Sequence, residues 1–177
     1  DYGQLGDGST TDCLTPYQVE SSGVVQVSLG HDTSLYRKSD GSVWGMGQND
    51  QGILGDGTSI DRNVSTQIIP SGVIDLSTGK TGSGHALFLK SDGSLWGTGL
   101  GTYGRLGNGS TTNRWAPIRI RTAGVEKIAA ADTHSLFIDA NGSLWAFGKN
   151  DYGQLGDGTI TQRTSPLEIV SSGVFQL

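Results

Sequence analysis

Few residues in this chain could do chemistry, and their spacing limits what that chemistry is. The histidines are His31, His85 and His134. His85 and His134 hold equivalent places in successive sequence repeats, Thr33 takes that place in the first repeat, and His31 sits two residues earlier. Only inward-facing imidazoles could converge on a metal, because packed sheets stand about 10 Å apart while zinc–nitrogen bonds need about 2 Å. A hydrogen-bonded structural histidine is therefore the expected role. Ser34 and Ser135 lie beside these positions, but no nucleophile-elbow context surrounds them. The single cysteine, Cys13, excludes an internal disulfide framework and a cysteine-based zinc site. Loops such as Asp7-Gly8-Ser9-Thr10 lack the alternating acids and terminal glutamate of a calcium loop and read as turns. The stretch Ser77–Gly84 has the look of a phosphate-binding loop, yet Ile74 stands where a glycine is required and no helix follows. It reads as a surface loop available to a partner. No catalytic residues, metal or cofactor are expected, and the chain reads as a non-enzyme.

Binding is the chemistry left. Trp115 aligns with Leu14, Asn63 and Thr164, so no repeat constraint demands a tryptophan there. Arg114 is its neighbour, and Arg105 occupies a place where Gln4 and Gln154 occur. Trp, Tyr and Arg dominate interface hot spots. Tyr2, Tyr103 and Tyr152 share one loop position and could form an aromatic face, and Lys80 lies in the insertion. The candidate partner-binding set is Trp115, Arg114, Arg105, Tyr103, Tyr152 and Lys80. The equivalent arginines Arg62, Arg114 and Arg163 are expected to bridge blades to carboxylates such as Asp56 or Asp157. Trp44, Trp96 and Trp145 recur with the repeat and are expected to pack.

Composition narrows the partner. The 177 residues carry a net charge of −5, with a pI near 5.0, which disfavours phosphate-mediated binding of nucleic acid. No run approaches the ~20 apolar residues of a membrane span. The chain starts at Asp1 rather than Met, so its N-terminus reads as processed, trimmed or not included. Low Lys content and a Gly/Ser/Thr/Asp-rich surface point to an extracellular or cell-surface setting.

The elements that must position these residues come from a repeat. Asp1-Tyr2-Gly3-Gln4-Leu5-Gly6-Asp7-Gly8 recurs unchanged as Asp151 to Gly158, with diverged copies at Gly52–Gly57 and Gly104–Gly109. Their leading glycines are 49, 52 and 49 residues apart. A Ser-Gly-Val motif (Ser22, Ser71 and Ser172, with Ala123 as the variant) and an Asp/Asn-Gly-Ser-Val/Leu-Trp motif ending at Trp44, Trp96 and Trp145 keep the same phase. The units are 1–49, 50–101, 102–150 and an incomplete 151–177. Each reads as four short strands: Val24–Ser28, Thr33–Lys38, a turn at Asp40-Gly41 with positive φ angles, Ser42–Gly47, and a fourth segment beginning at proline, as in Pro117–Ile120 or Pro166–Val170. No 3.6-residue period is sustained, so no helix is expected. A period near 50 with four strands per unit is the pattern of propeller blades.

At these motifs the chain resembles the regulator of chromosome condensation repeat family, in its bacterial versions. The resemblance implies an all-β, seven-bladed propeller, of which about 3.5 blades, half a ring, are present here. Joining tail to head would omit the equivalent of Ser28 to Asn49, so a fragment of a longer propeller is expected, with a self-paired homodimer as the alternative. The expected function is a protein-binding or scaffold module that uses loops on one face. The alternatives are guanine-nucleotide exchange on a small GTPase, as the resemblance implies, or a structural surface or fibre component assembling through blade edges.

Overall fold

The computed structural model of the chain describes residues 1–80 and 84–177. Thr81, Gly82 and Ser83 belong to the insertion expected to form a surface loop, and lie outside the described residues. Twelve strands form three four-stranded antiparallel sheets among the described residues. The first contains β1 (Val24–Leu29), β2 (Thr33–Lys38), β3 (Val43–Gly47) and β4 (Arg62–Ile69). The second contains β5 (Val73–Thr78), β6 (His85–Lys90), β7 (Leu95–Gly99) and β8 (Arg114–Arg121). The third contains β9 (Val125–Ala130), β10 (His134–Asp139), β11 (Leu144–Gly148) and β12 (Arg163–Val170). In every sheet, strands adjacent in sequence are paired neighbours. β1 touches β5, and β5 touches β9, so the first strands gather on one side and the fourth strands form the outer edges. Three such sheets are three blades of a propeller. The outer strand of each comes from the sequence unit after the one that supplies its inner three.

Two local expectations need correction. In the Asp40-Gly41 turn only the glycine has a positive φ, of 78°. The Gly41 amide donates to the Lys38 carbonyl at 3.0 Å, and the Asp40 carboxylate accepts from the Ser42 amide at 2.9 Å. This is a three-residue turn closed by one left-handed glycine, and it leaves aspartate in ordinary space. The fourth strands begin at Arg62, Arg114 and Arg163 rather than at proline. Pro117 and Pro166 sit inside them, where the register slips between Gly97 and Gly99 and between Ala146 and Gly148. A bulge on an edge strand is where a residue without an N–H costs no ladder bond.

The cores lie between blades. Leu35, Val43, Ile69 and Leu54 of the first sheet and its long loop pack with Val73, Leu76 and Phe88 of the second. Leu87, Leu89 and Leu95 pack with Val125, Ile128, Phe137 and Phe147 of the third. Polar links also cross near the first strands: the Gln26 amide donates to the Asp75 carboxylate at 2.6 Å, and the Ser28 and Thr78 hydroxyls meet at 2.8 Å. Among the described residues helix is confined to one 3-10 turn at Thr102–Gly104, and no helix there is long and apolar enough to cross a membrane.

Candidate binding face

An antiparallel meander sends its connections alternately to the two ends of the blades. The loops β1–β2, β5–β6 and β9–β10 therefore share an end with the long loops β3–β4, β7–β8 and β11–β12. All six candidate residues lie at this end. The short turns of the opposite end carry the repeated tryptophans. The indole N–H groups of Trp44, Trp96 and Trp145 donate to Ser42 Oγ, Ser94 Oγ and Asp139 Oδ2 at 3.0, 2.8 and 2.9 Å. Lys38, Lys90 and Arg121 lie over the three rings. These tryptophans hold the fold, as their recurrence implies.

The β3–β4 and β7–β8 loops each dock on the next blade through their backbone. The Gly57 amide donates to the Trp115 carbonyl at 2.7 Å, and the Gly109 amide to the Thr164 carbonyl at 2.8 Å. A Cβ at Gly104 would stand 2.5 Å from the Thr164 Cα, so only glycine permits this approach. Arg62 and Arg163 do meet carboxylates, but within their own loops. Arg62 Nε donates to Asp56 Oδ2 at 2.7 Å, and Arg163 Nε to Asp157 Oδ2 at 2.8 Å. The expected bridging of blades by arginine is thus replaced by backbone docking. Burial opposes ionisation of Asp56, yet hydrogen bonds from Thr58 and Arg62 outweigh it and lower its pKa. The Arg163 hydrogen bond, with help from Thr159, holds Asp157 well below the usual carboxylate range.

The second and third blades are joined differently. Ser135 Oγ donates to the Arg105 carbonyl at 2.8 Å and lies 2.6 Å from His85 Nε2. With the hydroxyl proton given to the carbonyl, His85 Nε2 is the donor and Nδ1 is unprotonated. Nδ1 is buried and has no hydrogen-bond partner among the described residues. Complete burial, with Arg105 and His134 nearby, pushes the His85 pKa down to about 3. This is the expected structural histidine, and a fully buried Ser135 is no nucleophile. No group of three His, Cys, Asp or Glu among the described residues could hold a metal ion.

Four of the six candidates form two clusters, Arg105 is buried, and Lys80 belongs to neither cluster. Arg105 is turned inward, 4% exposed, donating from Nη1 to the Asp132 carbonyl at 2.7 Å and from Nε to the Thr102 carbonyl at 3.0 Å. Tyr103 and Tyr152, 39% and 89% exposed, flank Lys149, whose ammonium lies 4.9 and 5.8 Å from their ring centres. Tyr103 is the one non-glycine residue with positive φ, 64°, among the described residues. Lys80 is exposed, and its amide donates to Asp132 Oδ1 at 3.0 Å. Trp115, 46% exposed, and Arg114 form the second cluster beside the first blade's loop, where Asn113 Nδ2 donates to Gln51 Oε1 at 2.6 Å. Sequence reading missed Lys149 and the change at Asn108, which stands where Asp7, Asp56 and Asp157 stand; the internal alignment carries that second signal. A cleft of about 370 Å³ between Asp1 and Leu14 touches none of the six.

Blades of this construction, joined through glycine-rich loops at a period near 50, define a tandem-repeat β-propeller. Models of the regulator of chromosome condensation (RCC1) repeat match residues 1–36, 92–138 and 141–175, and a second model of that repeat matches 24–53, 73–105 and 125–154. The chain belongs to the RCC1 repeat family. It is 32% identical to the ultraviolet-B receptor UVR8 of Arabidopsis thaliana over 132 residues, covering 73% of this chain and 30% of the receptor. It is also 32% identical to the human E3 ubiquitin-protein ligase HERC2 over 131 residues, 72% of this chain and 3% of the ligase. The chain thus spans under a third of these relatives. Among solved structures, human WBSCR16 superposes with a TM-score of 0.79 at 24% identity, over 94% of this chain and 44% of that one. Yeast RCC1 (Prp20), solved with Kap60, gives 0.77 at 21%, over 92% and 41%. These show the fold, a partial propeller.

Proposed function

We propose that the chain is a protein-binding module that holds its partner on the long-loop face. The observation that carries this reading is where the chain departs from its own repeat. The middle blade's long loop and the strand after it carry Asn108 and Trp115 where the other repeats have other residues, leave Arg114 without the carboxylate that Arg62 and Arg163 bind, and hold exposed Tyr103 near Tyr152 and Lys149. The opposite face keeps its repeated tryptophan-and-cation pattern. Loops on a rigid scaffold are where recognition concentrates. The reading is also supported by the family: yeast RCC1 (Prp20) has been solved bound to Kap60, and a second structure of the same protein is described by its binding to Gsp1p and histones.

The test uses a small GTPase carrying fluorescent GDP and a photo-crosslinker placed in turn at Trp115, Tyr152 and, on the opposite face, Asp92. Cross-links from 115 and 152 but not 92, without GDP release, are expected. Accelerated GDP release would favour nucleotide exchange instead. Cross-links only from 92 would overturn the choice of face.

A further inference from the structure

We propose that Arg114 is a carboxylate-receiving site that takes an aspartate or glutamate side chain from a protein partner; the inference deepens, and rests on, the protein-binding reading. The molecule shows twice what this arginine position binds. In the first blade Asn49 Nδ2 donates to Asp56 Oδ1 at 3.1 Å while Arg62 holds the other oxygen. In the third, Asn150 Nδ2 donates to Asp157 Oδ1 at 3.0 Å while Arg163 holds the other oxygen. Both carboxylates are nearly buried, at 5% and 3% exposure.

The middle blade has lost two of these three residues and kept the third. Gly101 replaces the asparagine, Asn108 replaces the aspartate, and Arg114 remains. Asn108 Oδ1 accepts the Ser110 amide at 3.3 Å, as Asp56 accepts that of Thr58, but it brings no second carboxylate oxygen. Arg114 Nε is buried without a hydrogen-bond partner, and the residue makes no ion pair among the described residues. A buried charged donor left unpaired is costly, and arginine's planar fork is matched to a carboxylate. The loop cannot take back its asparagine on its present course, because a Cβ at Gly101 would run into the Thr112 carbonyl. Trp115, the next residue of β8, is half-exposed and its ring lies against Gly52 of the first blade's loop. With a net charge of −5 the chain offers polyanions no general attraction, so a preference for acidic peptide must come from a specific site.

Hexaglutamate and hexaglutamine peptides are titrated against the intact chain, followed by tryptophan fluorescence. Trp115 is the reporter, since the other three tryptophans lie at the opposite end of the blades. Hexaglutamate is expected to bind at least tenfold more tightly than hexaglutamine. Asn108→Asp, which supplies the missing carboxylate internally, is expected to weaken hexaglutamate at least tenfold while raising Tm. Arg114→Gln should weaken it equally with the fold intact by circular dichroism. An Asn108→Asp variant that binds within twofold of the parent, or a parent that does not prefer hexaglutamate, overturns the inference. Should cross-links from position 115 persist in that case, the protein-binding reading stands without it.

Discussion

The two complete blade junctions use one backbone scheme and two opposite fillings. Between the first and second blades, Ile53 is buried against the neighbouring sheet and Ala86 lies beneath it. Between the second and third, the same two places hold Arg105 and Ser135, and His85 adds a hydrogen bond that Thr33 does not make across the earlier junction. Ile53 needs only contact, whereas Arg105 has its guanidinium satisfied by carbonyls of Thr102 and Asp132. The docking amides of Gly57 and Gly109 are unchanged by this. The comparison teaches that the glycine-and-backbone frame carries the repeat, while the side chains inside it are free to become polar provided every donor finds an acceptor.

Breaking the shared frame should have the largest effect. Gly104→Ala and Gly52→Ala both force a Cβ into the next strand's backbone at a positive φ, and each is expected to cost about 3 kcal/mol or more. Gly153→Ala, with the same φ but its nearest such contact at 3.9 Å, should cost about 1 kcal/mol. Urea melts of the three variants measure the difference, and a mild Gly104→Ala would show that docking is not what the junctions share.

Acid should separate the junctions next. His85 has a native pKa of about 3 against an ordinary 6.5, so the unfolded chain binds a proton that the native chain refuses. Stability is therefore full above pH 6.5 and falls by about 1.4 kcal/mol per pH unit as the pH drops toward 3. The lowered carboxylates Asp56 and Asp157 contribute only below about pH 4, through loss of their charge. Melting between pH 6.5 and 4.5 should thus be strongly pH-sensitive in the parent and clearly less so in His85→Thr, which copies the earlier junction's residue and leaves His134, lowered by burial, as the histidine that still contributes there. A parent that melts alike across this interval would refute the buried neutral imidazole.

Two smaller effects sharpen the contrast between loops. Asp56→Asn gives the first blade's loop the middle one's asparagine and removes the carboxylate that Arg62 binds, at an expected cost of about 2 kcal/mol in thermal melts. Tyr152→Ala, at an 89% exposed position, should change stability by less than about 0.5 kcal/mol. Its effect belongs to partner binding alone, read by loss of cross-linking from position 115.

Much of this was legible because the repeat is close to a self-alignment. The period, the four strands per unit and the packing role of Trp44, Trp96 and Trp145 follow from residues that recur. The bulge at Pro117 was not legible, since a proline marks the absence of a donor and not which end of an edge strand it occupies. Arg105 reads as a surface residue by type, and only the tertiary placement of the Asp132 carbonyl explains its burial. The Arg–Asp pairs were found, but six residues of separation cannot tell a link within one loop from a link between blades. Trp115 stood out because nothing in the repeat requires it, and the structure leaves it half-exposed.

The offset between sequence unit and blade has a consequence for how the chain is made. When Gly47 leaves the ribosome the first blade has three strands, and its outer edge stays unpaired until the loop and strand out to Ile69 have followed. That same stretch carries Ile53 and Leu54, which the second blade will bury. Each blade is therefore completed by residues that already anticipate the next, and nascent chains stalled just after Gly47 and just after Ile69 should differ sharply in protease resistance.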